Sequence, residues 1–305
     1  MAKKRDIIVG IIIAVVFLGA FGFMGVMFIG LVGGSDGVGL GLSGLSGNIG
    51  LVEVSGGIYE SNGRKVIEQL EDWADNSSIK AIVVHVNSPG GGVAISQEIY
   101  DTMNRIRDYS GKPIVVSMAS VAASGGYYIA CAADRVVANP GTITGSIGVI
   151  FQFNTFGDLM EKVGVETETI KSGELKDVGN MSRRMTEKEE LMLRSVVMDT
   201  YEQFVHVVAE GRGKDPEEIY PLADGSIYTG LQAYNLGLVD TLGGLNEAVE
   251  IAAQLADMSV EPKVARFYER KQVGLFDLLG KLDGLLDKAQ SIKSESPELK
   301  YLFAY

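Results

Sequence analysis

The chain has 305 residues, 22% charged and 46% apolar, enough for one large or two small folded domains and incompatible with a disordered chain. Its formal net charge of −12 argues against nucleic-acid binding, which needs a basic face to neutralise phosphates. A single cysteine, Cys131, excludes an intrachain disulfide and a cysteine-built zinc site, and two histidines, His85 and His206, exclude a histidine-rich metal centre.

The N-terminus carries Lys3, Lys4 and Arg5, and residues 7–32 then hold no charge. That run exceeds the roughly 20 residues that cross a bilayer. It is too long for the apolar part of a cleavable signal peptide, roughly 7–15 residues. Basic residues precede the run and none occurs in residues 33–48. The positive-inside rule therefore predicts a single-pass anchor in the cell membrane, with a cytoplasmic N-terminus and the body outside. Residues 33–48 are rich in Gly and Ser and read as a flexible linker. The expected organisation is a cytoplasmic stub and anchor over 1–32, a linker over 33–48, a folded body over 49–256 and a tail over 257–305.

The body opens with "IGLVEVSGGI", a strand and a turn, and Val66, Ile67, Leu70 and Trp73 follow at helical spacing. "IKAIVVHVNSPGGG" predicts a strand running into a glycine loop, and Ile95, Ile99, Met103 and Ile106 mark the apolar stripe of the next helix. "KPIVVSMAS" is a strand with Pro113 at its start, where proline is tolerated, and a helix of small residues follows Ser124. "DRVVANPGTITGSIGVI" reads as strand, turn and strand or loop, and "VETETIKSG" as a further strand. A long helix begins at a capping box of Thr186 and Glu189, and "GLVDTLGGLNEAVEIAAQLA" ends in another helix. Strands alternating with helices predict an α/β domain with largely parallel pairing. Beyond residue 257 one amphipathic piece, "LFDLLGKLDGLLDKAQ", stands out.

The stretch "VAASGGYYIA" poses the chemical question. Ser124 at the start of an apolar helix gains from the positive end of the helix dipole, and Gly125 and Gly126 leave room for a substrate carbonyl. The alternative is a packing serine and helix cap. Glycines in "NSPGGG" free backbone N–H groups to hold a developing oxyanion, although an ordinary strand-to-helix turn has the same composition. A serine nucleophile needs a base. His85 lies in an apolar strand and His206 in mid-helix, and neither sits where a hydrolase triad needs it. A lysine serves only when neutral, which requires its reference pKa of roughly 10.4 to fall on desolvation. Lys171 and Lys176 in "TIKSGELKDVGN" are the candidates, and spacing alone does not choose between them.

Taken in order, "VNSPGGG", "SMASVAASGGYYIACAADRVVANPGTITGSIGVI", "SGELKDVGN" with "MTEKEE", and "DGSIYTGLQAYNLGLVDTLGG" resemble signal peptide peptidase A, the S49 family of membrane-anchored serine proteases, in its short single-unit form. The likeness runs from about residue 50 to 255. It implies a ClpP/crotonase-like fold and a Ser–Lys dyad, with Ser124 as nucleophile, Lys176 as general base and Ser146 orienting that lysine. Gly91, with Gly90 beside it, matches the source of the oxyanion-hole N–H. The resemblance further implies a ring-shaped homo-oligomer on the outer face of the membrane and cleavage of signal-peptide remnants and other short peptides. No metal or other cofactor is implied. Ser226 stands where the family often has arginine, and the family's usual proline after its Lys-Asp block is missing. Rival readings are a crotonase-like acyl-CoA enzyme, an inactive membrane-anchored assembly protein of the same fold, and a stomatin-operon type peptidase.

Overall fold

The computed structural model describes residues 47–267 and 300–302. The apolar run at 7–32, nearly all of the linker and the amphipathic piece at 275–290 lie outside the described residues. Among the described residues no helix is long and apolar enough to cross a membrane.

The apolar runs build a sheet in the spatial order β7-β6-β4-β2-β1-β9. Its members are β1 (Ile49–Ser55), β2 (Ala81–Ser88), β4 (Ile114–Ala123), β6 (Ile143–Gly145), β7 (Ile227–Thr229) and β9 (Val264–Arg266). Strand β4 is longer than the sequence suggests and carries two neighbours on one side. β5 (Arg135–Ala138) pairs with its first half, through residues 115–118, and β6 with its end, through residues 121–123. Thr142 spans the step by donating its hydroxyl to Ala119 O at 2.7 Å. β8 (Thr241–Leu242) extends the sheet beyond β5. Every pairing in this sheet is parallel except β6 with β7.

Both faces of the sheet are covered, which is why "AIVV" is an unbroken apolar run rather than an alternating one. Val52, Ile82, Val84 and Val116 face helices α1 (Glu60–Asp75) and α2 (Val93–Ser110). Ile49, Leu51, Val83 and Val115 face the helix Leu245–Leu255 through Ala248, Val249 and Ala252. Trp73 is buried beneath α1 and donates its indole N–H to Leu51 O at 3.2 Å. The long helix Glu187–Arg212 starts at the expected capping box, with Glu189 N–H donating to Thr186 Oγ1 at 3.3 Å and Thr186 N–H to Glu189 Oε2 at 2.8 Å.

Three segments depart from the sequence reading. "VETETIKSG" is not a strand: residues 165–170 have no sheet partner among the described residues, and Ile170 is 97% exposed. Alternating residues make a strand only where a neighbour takes up their backbone groups. A short helix, Gly157–Lys162, precedes this segment. The sheet also reaches into the stretch read as a tail: β9 pairs with β1, and Phe267 packs its ring 4.2 Å from that of Trp73.

Candidate active site

The parallel strands β2, β4 and β6 end side by side, and the candidate residues lie just beyond their carboxyl ends, the usual ligand side of such sheets. Ala123 of β4 pairs with Gly145 of β6, and each is followed by a serine in a left-handed backbone conformation, Ser124 at φ +53° and Ser146 at φ +50°. Such angles are uncommon and costly for a residue with a side chain, so the surroundings must hold them. Ser124 N–H donates to Gly145 O at 2.8 Å, and Ser124 O accepts from Tyr128 N–H at 2.8 Å. Ser146 N–H donates to Ser226 O at 2.7 Å, so the position where the family pattern often has arginine contributes through its backbone. Gly145, at φ +80°, has no room for a side chain, because a Cβ would lie 2.6 Å from the Tyr228 ring.

Ser124 stands at the N-cap of the helix Gly125–Ala130. Its hydroxyl caps nothing: Oγ is fully buried and has no hydrogen-bond partner among the described residues. An orphaned buried hydroxyl costs roughly 1–3 kcal/mol. The cap reading of Ser124 therefore lacks the bond that defines a cap. The helix has only six residues, so its dipole is much shorter than the sequence suggested. Gly126 serves the protein rather than a substrate, since a Cβ there would sit 3.0 Å from Ser88 O. That contact seats the Ser124 turn on the end of β2.

The glycine loop is partly a strand, β3 (Gly90–Gly92). Ser88 Oγ accepts from Gly90 N–H at 3.1 Å, and Gly90 turns the chain at φ +103°. On one side Ile58 N–H donates to Gly90 O at 2.8 Å, and Gly92 N–H donates to Ile58 O at 2.8 Å. The alternation of an extended chain turns the N–H and C=O of Gly91 to the opposite side. There Lys300–Leu302, strand β10, pairs antiparallel, with Tyr301 opposite Gly91. A Cβ on Gly91 would fall 2.0 Å from Ile58 O, so only glycine fits between these two partners. The structure thus brings Ser124, Ser146, Gly90 and Gly91 to one end of the sheet. Ser88, Gly145 and Ile58 shape that end and were not singled out from the sequence. Only the Ser-Pro-Gly turn of Ser88 carries a local signal for its part.

Neither lysine proposed as base is brought there. Lys176 lies on an exposed turn, with its N–H donating to Gly173 O at 3.1 Å, and its Nζ has no hydrogen-bond or ion-pair partner among the described residues. A hollow of about 480 Å³ beside it is lined by Ser172, Glu174, Leu175 and Lys188. Lys171 is engaged, its Nζ 2.5 Å from Asp177 Oδ1 and 3.0 Å from Glu174 O. His85 is half-buried and sits 3.2 Å from Ser117 Oγ, and burial holds its pKa below the usual value. His206 is exposed on the long helix. Burial pushes the Cys131 thiol up to about 12, which leaves it without thiolate character. Among the described residues no cluster of His, Cys, Asp and Glu is suited to a metal ion.

Comparison with known proteins places this geometry. The sequence model of peptidase family S49 matches residues 107–259, and that of Clp protease matches residues 48–142. A putative protease of Synechocystis sp. is 41% identical over 69% of this chain and 75% of its own length. A putative signal peptide peptidase SppA of Enterococcus faecium is 40% identical over 62% of this chain and 55% of its own length. A chloroplastic serine protease SPPA of Arabidopsis thaliana is 33% identical over 66% of this chain, a stretch that spans 29% of the plant protein. The chain belongs to peptidase family S49, is a serine peptidase, and has a Clp protease-like α/β fold with a mixed sheet.

Proposed function

We propose that this S49 peptidase hydrolyses peptide bonds through a Ser–Lys dyad, with Ser124 as nucleophile and Lys176 as general base. The observation that carries the reading is the state of Ser124. It is held at φ +53° by two backbone hydrogen bonds, and its buried Oγ is left without a partner among the described residues. Strain and an unmade hydrogen bond at one residue are costs that a packing role does not explain, and they are characteristic of reactive positions. A crotonase-like or purely structural role gives this serine nothing to do.

The substrate lies extended along the side of β3 on which residues 300–302 pair antiparallel, taking their place. Ser124 Oγ gives its proton to neutral Lys176 and attacks the scissile carbonyl. The Gly91 N–H, held toward that side, receives the oxyanion. The amine leaves with the proton from Lys176, and water then hydrolyses the acyl-enzyme by the same base. Ser146, one residue past the Ala123–Gly145 pair, orients the lysine ammonium. Lys171 is the poorer candidate because its Nζ is already held by Asp177 Oδ1 and Glu174 O.

Lys176 reaches Ser124 in an assembled ring, where one copy supplies the serine and a neighbour the lysine. Two observations support this arrangement: the unpartnered Nζ on an exposed turn, and the apolar side chains Phe156, Leu159, Val163 and Met181 exposed around that segment. The uncharged run at 7–32 supports an anchor with the peptidase body on the outer side, beside signal-peptide remnants left in the bilayer. Labelling with a fluorophosphonate tests the nucleophile directly. Modification is expected at Ser124 and is lost in Ser124→Ala, whereas labelling elsewhere contradicts the assignment.

A further inference from the structure

We infer that Asp177 and Arg183 are positioning residues that fasten the turn carrying Lys176 to the first turn of the long helix, with buried Glu189 as the anchor. The inference rests on Lys176 being the base. It adds what holds that base in place.

The turn itself is short and exposed, and residues 172–179 contain no regular helix or strand. Its backbone bonds are all local: Lys176 N–H to Gly173 O at 3.1 Å, Val178 N–H to Leu175 O at 3.3 Å and Asn180 N–H to Asp177 O at 3.0 Å. Such a turn, left alone, moves on the nanosecond-to-microsecond scale. A general base needs its reacting atom placed within a fraction of an ångström, and a misplacement of about 1 Å costs on the order of 10²-fold in rate.

The next residue supplies the fastening. Asp177 accepts from Lys171 Nζ at 2.5 Å on one side, and lies 2.9 Å from Arg183 Nη2 on the other. Arg183 then forks onto Glu189, with Nη1 to Oε2 at 2.9 Å and Nη2 to Oε1 at 2.5 Å. A two-pronged guanidinium–carboxylate contact fixes orientation as well as distance. The Glu189 side chain is 1% exposed, and the same carboxylate accepts from Thr186 N–H at 2.8 Å to close the capping box. One buried carboxylate therefore serves the helix start and the lysine turn at once. Lys188 adds a second tie from the same helix, 2.5 Å from Glu174 Oε2. Asp177 and Lys171 are both consumed by this arrangement, and Lys176 alone projects from the fastened turn with an unpartnered amine.

The test uses the full-length protein in its native assembly and reads peptide hydrolysis, together with the rate at which a fluorophosphonate labels Ser124. Asp177→Asn and Arg183→Gln are expected to lower kcat by about 10- to 100-fold, the range for supporting residues around a site, with KM within about 2-fold. Arg183→Lys, which keeps the charge and loses the fork, is expected to recover part of the loss. Arg194→Gln, which breaks an exposed pair with Glu190 on the same helix, leaves both rates unchanged. The deciding measurement repeats the substitutions on a Lys176→Ala background. Residues that act only through the lysine add no further loss in labelling rate there.

Full kcat in Arg183→Gln and Asp177→Asn would overturn the inference. So would losses that multiply with that of Lys176→Ala, because they indicate general disruption. If Lys176→Ala itself keeps wild-type rates, the base assignment fails, and the positioning role falls with it. If Arg183→Gln unfolds by stranding Glu189, Asp177→Asn leaves the Arg183–Glu189 fork in place and decides the matter alone.

Discussion

Ser124 and Ser146 are successors of a single cross-strand pair, Ala123 and Gly145, and both take positive φ, at +53° and +50°. The same backbone hydrogen bond, Ser124 N–H to Gly145 O at 2.8 Å, ties the two turns together. The two serines proposed as nucleophile and helper are thus set by the sheet register rather than by loops.

The strain at Ser124 separates activity from stability. Left-handed backbone at a non-glycine residue costs roughly 1–3 kcal/mol, and glycine's greater freedom in the unfolded chain takes back roughly 0.5–1 kcal/mol. Ser124→Gly, which sheds both the strain and the orphaned hydroxyl, is therefore expected to abolish hydrolysis and to raise stability by at least about 1 kcal/mol. Ser124→Ala abolishes hydrolysis and gains less, since it sheds the orphaned hydroxyl and keeps the strain. Denaturant unfolding at one fixed protein concentration measures the order.

Gly91→Ala tests the proposed oxyanion donor. The added Cβ would fall 2.0 Å from Ile58 O, so β3 must shift and carry the Gly91 N–H with it. Loss of one such donor costs on the order of 10²- to 10³-fold in kcat. The expected outcome is a loss of that size with the circular dichroism of the folded body retained.

How much of this was legible in the sequence follows from how local each signal is. The capping box at Thr186 and Glu189, the apolar stripes of α1 and α2 and the β2 and β4 runs depend on neighbours in the chain, and they appear where the residues say, except that β4 runs on to Ala123. Residues 165–170 alternate like a strand but have no sheet partner among the described residues, and β-pairing is a property of two segments. β3 shows the converse: three glycines with no strand propensity are extended because Ile58 and residues 300–302 pair with either side. The strain at Ser124, the seat that Gly126 gives it on Ser88 and the Arg183–Glu189 fork join residues by tertiary placement. Periodicity carries no trace of them.

Acid sensitivity follows from the same fork. Arg183 and the capping bonds hold the Glu189 carboxyl down at about 2, against an ordinary value of 4.5, and Arg183 and Lys171 hold the Asp177 carboxyl lower still. A carboxyl whose folded pKa is depressed contributes stability that is fully present above its unfolded pKa. That contribution is lost as pH falls through the folded value. The Lys176 turn should therefore stay fastened from neutral pH to about 4.5 and loosen progressively toward 2. Glu189→Gln should flatten this part of the stability profile, as measured by unfolding at successive pH values.

Arg212 offers a check on the body of the fold. Its side chain is 3% exposed and lies 2.9 Å from Asp240 Oδ2, which also accepts from Val136 N–H at 2.7 Å. Removing one partner of a fully buried pair costs roughly 3–5 kcal/mol. Asp240 keeps about a third of its exposure, which lowers the expectation for Asp240→Ala to about 2–3 kcal/mol. Equilibrium unfolding reads the value.

The most direct measurement is hydrolysis of apolar fluorogenic peptides by the full-length protein, with Ser124→Ala and Lys176→Ala run alone and then mixed as one assembly. A Ser–Lys dyad built across copies predicts wild-type turnover, background rates in each variant alone, and partial recovery in the mixture. Wild-type rates in Lys176→Ala would contradict the dyad. Activity in Ser124→Ala would contradict the nucleophile, and a mixture that stays at background would contradict the shared site.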